Sequence, residues 1–182
     1  MLLKNYFIQY KPFFAFLLKF FGIYGLLAIL YHLYLAQFPE IEPDGITKMV
    51  ASQTEGLLNF FGQNSTTVIH ERQPSVKLFL GDLYIARVVE GCNAVSVMIL
   101  FAAFVVAFKG KIKSTILFIL AGIVIIHLLN VSRIALLAVA LKHYPEQEHL
   151  LHGVIFPLFI YGVVFMLWIF WVQKFSDHAK SS

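Results

Sequence analysis

The sequence predicts an all-α integral membrane protein of about four transmembrane helices, with a small extracytoplasmic α+β segment between spans 1 and 2. Three observations carry that prediction. Of the 182 residues, 59% are hydrophobic and only 13% are charged, where soluble domains hold roughly 45–50% apolar and about 25% charged residues. A chain this short has too little interior to hide the excess from water. The apolar residues also gather in runs near the roughly 20 needed to cross a hydrocarbon core of about 30 Å. A soluble enzyme, a disordered chain and a nucleic-acid-binding domain are thereby excluded. The net charge of +4 does not revive the last of these, because the basic residues are scattered. The single cysteine, Cys92, rules out an intramolecular disulfide, a zinc cluster and a CxxC pair. No cofactor or metal is expected.

The first span runs from Phe13 to Phe38 and stops at Pro39, before Glu40-Ile41-Glu42-Pro43-Asp44. It lacks a short apolar stretch followed by a small-residue cleavage site, so it reads as a retained span, not a signal peptide. Residues 1–38 form the N-terminal cytoplasmic end and span 1. Residues 39–91 form a periplasmic cap, in which Asp44 caps a helix carrying Ile46, Met49, Val50, Leu57 and Leu58. The texture then alternates through 66–69, 76–80 and 83–89 around the turn Gly81-Asp82, which reads as a hairpin. Residues 92–175 form a core of three further spans. The second span, Cys92 to Phe108, meets Lys109-Gly110-Lys111-Ile112-Lys113, a linker short enough to force a helical hairpin. The third runs from Ser114 to Leu141 and the fourth from about His152 to Phe175, with Trp168 and Trp171 as interfacial anchors. Residues 176–182 are a cytoplasmic tail.

Charge sets the orientation. With the N-terminus inside, the inner segments hold Lys4, Lys11, Lys109, Lys111, Lys113, Lys174 and Lys180 against one acid, Asp177. All other acids, from Glu40 to Glu148, then lie outside. The inverse would expose the lysine triplet against the positive-inside rule. The expected location is the cell inner membrane, with both termini cytoplasmic and any outer site facing the periplasm.

Polar residues in or at the lip of a span are costly and mark function by default. Three groups qualify: Cys92 within Glu90-Gly91-Cys92-Asn93-Ala94, Arg133 within Asn130-Val131-Ser132-Arg133, and the pair His149 and His152. At 1.5 Å per helical residue, Cys92 lies about 25 Å above Lys109, Arg133 about 30 Å above Lys113 and His152 about 33 Å above Lys174. A thiol, a guanidinium and an imidazole thus converge near the outer interface. A thiol attacks as thiolate, a form that a nearby cation favours. The guanidinium offers a planar fork of donors to an oxyanion, and histidine carries protons near neutral pH. Together they suit acyl transfer through a thioester, with Gly91 and Asn93 admitting substrate backbone and adding a donor. Taken singly, each has a plainer reading: Cys92 as a packed small residue, Arg133 as a snorkelling or headgroup-binding side chain, and His149 and His152 as part of a polar loop. His127, two turns deeper than Arg133, reads as structural.

At these residues the chain resembles the exosortase/archaeosortase family, and more narrowly its compact exosortase F group. The resemblance covers residues 86–175 and rests on Glu-Gly-Cys-Asn-Ala at a span start, Asn-x-x-Arg late in the next span and His before a Phe-rich last span. It implies a cysteine transpeptidase that cleaves C-terminal sorting signals of membrane-anchored precursors and passes them to an acceptor that the sequence does not name. In that scheme Cys92 forms the acyl-thioester, Arg133 donates a proton or stabilises the oxyanion, and a histidine stabilises the transition state or shuttles a proton. The family's spacing of four residues to a glycine favours His149, through Gly153, whereas depth favours His152; both stay open. The competing class is a non-enzymatic membrane scaffold or assembly factor for surface protein or polysaccharide export, with residues 39–91 holding a partner. A serine protease using Ser96 or Ser132 lacks a GxSxG motif.

Overall fold

The structure is a computed structural model that describes residues 10–108 and 110–175. The expectations for the first nine residues, for Lys109 and for the tail 176–182 lie outside the described residues. The described chain runs α1 (Lys11–Leu35), α2 (Gly45–Phe60), β1 (Ser65–Ile69), β2 (Ser75–Leu80), β3 (Leu83–Val89), α3 (Val95–Ala107), α4 (Ile112–His143) and α5 (Phe156–Lys174).

Three helical stretches are long and apolar enough to cross a membrane: Lys11–Leu35, Ile112–His143 and Pro145–Lys174. The protein is a multi-pass membrane protein. The second expected span is shorter than its apolar run. Its first residue, Cys92, closes a 3-10 turn begun at Glu90, Ala94 takes a left-handed conformation with φ 62°, and Phe108 leaves the helix with extended backbone. What remains, α3, is 13 residues long, about 20 Å at 1.5 Å per residue. At 32 residues, α4 overshoots a 30 Å core, reaching about 48 Å.

The surplus upper third of α4 is where the α+β segment packs. Val131, Ile134, Ala135 and Ala138 share one core with Val50, Ala51 and Leu58 of α2 and with Val76, Leu78, Leu80 and Val88 of the sheet. The segment holds together through its own caps. Asp44 Oδ1 accepts the backbone N–H groups of Ile46 (2.8 Å) and Thr47 (3.1 Å) and starts α2. Gly62, at φ +72°, ends it in a Schellman turn, with Gln63 N–H donating to Leu58 C=O (3.0 Å) and Gly62 N–H to Asn59 C=O (2.9 Å). Asn59 and Glu55 then hold Ser65 and Thr67 of β1 by side chain to backbone bonds. The sheet is antiparallel in the order β1-β2-β3, with one strand more than a hairpin. Gly81 supplies the positive φ that a two-residue turn favours at its first position.

The other core lies within the bundle and is aromatic. Phe101, Val105, Ile126, Val164 and Trp171 are its buried centre. Trp168 stacks on Phe104 with centroids 4.3 Å apart, and Trp171 packs on Phe118 at 4.9 Å. The two tryptophans expected as interfacial anchors are therefore helix-packing residues; Trp171 is fully buried. A side chain at Gly122 would meet the Phe101 ring at 2.3 Å, so the bare backbone of Gly122 is what lets α3 lie this close to α4.

Candidate active site

Cys92 ends the 3-10 turn that joins β3 to α3. Two asparagines hold this turn from opposite sides. Asn130 of α4, completely buried, donates Nδ2–H to the Cys92 carbonyl at 2.7 Å. Asn93 accepts the Val95 N–H at 3.0 Å and donates through Nδ2 to Tyr31 Oη (2.8 Å) and Thr47 Oγ1 (3.2 Å). Thr47 is bonded in turn to the Asp44 carboxylate. These hydrogen bonds together fix the Cys92 turn to α1, α2 and α4. The donor expected from Asn93 toward a substrate points inward and serves this network instead. Ala94 keeps its left-handed backbone beside Cys92, a conformation costing roughly 1–2 kcal/mol for a residue with a Cβ and typical of over-determined functional turns.

Arg133 stands one turn above Asn130 on the same face of α4. Its Nε is buried with no hydrogen-bond partner, and among the described residues no acid pairs with it. The entry to α5 is a π-turn, Leu151–Ile155, that contains His152. Pro157 explains it: the ring of a helical proline collides with the carbonyl four residues earlier, here that of Gly153, and a wider turn relieves the contact. Wide turns of this kind recur at functional sites.

A cavity of about 430 Å³ opens between these elements, lined by Cys92, Arg133 and His152. Its walls are β3, from Tyr84 to Val89, and Ile134, Leu137 and Leu141 of α4, with Glu148 at the rim. His149 is exposed and not among the lining residues, although it is only three positions from His152. Glu90 lines a different, acidic cavity with His32, Glu40, Glu42 and Asp44. A Cβ at Gly91 or Gly153 would meet open space, so neither is required by packing. His127 pairs with Gln53 of α2 through Nε2 at 2.6 Å, apart from the cavity.

The comparison that decides the family spans nearly the whole chain. Residues 12–172 match the family model described as transmembrane exosortase. The chain belongs to the transmembrane exosortase family. The matched stretch of this exosortase begins within α1 and ends within α5, so it takes in every element that builds the cavity. Family membership points to a membrane transpeptidase-like role. Set against curated proteins and against solved structures, the exosortase finds no significant match. The residues that reasoning from sequence passed over are Tyr31 and Thr47 and the strand wall of the cavity. Tyr31 lies within a long, mostly apolar run and Thr47 within an ordinary amphipathic helix, so neither carries a local signal.

Proposed function

We propose that this exosortase is a cysteine transpeptidase, closest in layout to the compact exosortase F group, that cleaves C-terminal sorting signals of membrane-anchored precursors. The observation that carries the reading is the lining of one cavity by Cys92, Arg133 and His152, from three separate elements. In the reaction, Cys92 Sγ attacks the scissile carbonyl carbon while the unpaired guanidinium of Arg133 donates to the developing oxyanion. His152 takes the thiol proton and passes it to the leaving amine as the C–N bond breaks. The acyl-thioester is then resolved by an acceptor nucleophile, whose proton returns through His152 to the thiol. Asn130 is a positioning residue, acting through the Cys92 carbonyl.

The site faces the periplasm across the inner membrane, with both termini cytoplasmic. The lysines of the α3–α4 turn lie at the opposite end of α4 from Arg133, which supports that orientation. In this arrangement α3 is the fourth crossing, its missing length made up by the Glu90–Cys92 turn and the cap above it. The test is Cys92→Ala in cells of the natural host: the protein should insert and stay folded while full-length precursors accumulate. Normal processing by Cys92→Ala would sink the reading and leave the scaffold role.

A further inference from the structure

The wall formed by β3 has an unusual composition. In a strand, successive side chains point to opposite faces, so a cavity lying on one face is lined by every second residue. Here six consecutive residues, Tyr84 to Val89, line it. A bulge at Ile85 breaks the alternation there, but Ala86–Val89 pair regularly with β2 and all four line the cavity, which therefore runs along the edge of the strand. That edge is free: the sheet order is β1-β2-β3, and among the described residues no backbone hydrogen bond outside the sheet reaches residues 84–89. A free strand edge presents unpaired N–H and C=O groups and templates the addition of another strand. At its far end β3 leads directly through the Glu90–Cys92 turn to the thiol.

Building on the transpeptidase reading, we propose that substrate is held as an added strand, its extended backbone pairing with the outer edge of β3 and its scissile carbonyl delivered to Cys92. Beyond the bulge, the four residues Ala86–Val89 offer about 13 Å of regular edge leading to Cys92. On an added strand, every second side chain would face Ile134, Leu137 and Leu141 of α4, so the recognised segment carries apolar residues at alternate positions. Affinity then comes from main-chain hydrogen bonds and selectivity from this apolar floor. The arrangement also accounts for the cap: α2 and β1 support β2, and β2 pairs with β3 to hold the edge in line with the nucleophile.

Proline removes one backbone N–H without touching Cys92, Arg133 or His152; Arg87→Pro also removes the hydrogen bond from Arg87 to Gln73, which Arg87→Ala removes alone. Ala86 and Arg87 pair with consecutive residues of β2, Leu78 and Lys77, on the regular side of the bulge at Ile85, so their N–H groups point to opposite sides, one toward β2 and one into the cavity. Ala86→Pro and Arg87→Pro are compared with Cys92→Ala in the natural host, following precursor processing, thermal stability and labelling of Cys92. The variant whose N–H faced the cavity should keep its stability and its labelled thiol and lose processing by roughly tenfold or more, the cost of an unmade backbone hydrogen bond. Normal processing by both proline variants, with Cys92→Ala inactive, overturns strand addition and leaves the transpeptidase standing. Normal processing by Cys92→Ala overturns both. Should both prolines disrupt the sheet, labelling decides. In a Cys92→Ala background, which has no other cysteine, Ala86→Cys should react several-fold more slowly with an impermeant maleimide in isolated host membranes holding precursor than in isolated membranes of an unrelated host. Equal rates overturn the proposal.

Discussion

Among the described residues no acid pairs with Arg133, whose half-buried side chain lines the cavity beside Cys92. Its Nε is buried and unpartnered, and Asn130 one turn below leaves Oδ1 unpartnered as well. Both sit on α4 facing the Cys92 turn, and their roles are separable. Loss of Asn130 Nδ2 takes the hydrogen bond from the half-buried Cys92 carbonyl, which costs about 1–3 kcal/mol. Asn130→Ala is therefore expected to insert normally, lower stability within that range and slow processing, with a changed rate of Cys92 alkylation reporting the displaced turn. An unaltered alkylation rate would remove Asn130 from any positioning role. The two histidines are separable too, because His152 lines the cavity and His149 is exposed outside it. His152→Ala should cut processing by about 100-fold or more, the usual range for a proton-transfer group, while His149→Ala stays near wild type. Equal effects would reject the assignment of proton transfer to His152. Cys92 and Arg133 were legible in the sequence because polar groups in apolar runs stand out. The network that holds them was not, since Asn93 reaches partners 62 and 46 residues away.

At the scale of elements, the apolar runs marked the long helices, and the Asp44 cap and Gly81-Asp82 turn marked the ends of α2 and of the hairpin. Two breaks escaped. The helix after Cys92 starts late because Ala94 is left-handed, and alanine, unlike glycine, gives no warning of that conformation. The π-turn had a local signal in the spacing of Gly153 and Pro157, visible only to a reader asking where a proline's clash would be relieved. Close approach of α3 to α4 depends on Gly122, where an added Cβ would lie 2.3 Å from Phe101 Cε1 and Cζ. The Phe101 ring is fully buried and tilted against Phe118 at 5.8 Å, so it has no room to swing away. Gly122→Ala should lower the thermal stability of the detergent-solubilised protein by about 1–3 kcal/mol, the cost of overpacking. Phe101→Leu in the same chain should recover part of the loss, a coupling that a double-mutant cycle measures. Additive losses would mean the two helices are not held apart by this contact.

For the whole molecule, the unequal lengths of α3 and α4 set where the chemistry takes place. With about 20 Å of helix against about 48 Å, the two cannot share both ends; α3 ends and α4 begins at the lysine turn, and α4 continues past the level of Cys92. The hydrogen bond from Asn130 registers them there, and the remaining turns of α4 rise beside the α+β cap. The cavity thus opens at one end of the bundle and the lysines lie at the other. Orientation of the protein and orientation of its site are then a single question, which two cysteines answer. In a Cys92→Ala chain, Glu71→Cys places a thiol on the exposed loop between β1 and β2, and Lys111→Cys places one at the exposed start of α4. Lys109 and Lys113 remain, so the charge bias of the turn is kept. An impermeant maleimide given to cells with a permeabilised outer membrane should label Glu71→Cys at once and Lys111→Cys only after the inner membrane is broken. The reverse order would turn the molecule over, put the thiol of Cys92 on the cytoplasmic side, and deny it the exported precursors that the proposed reaction requires.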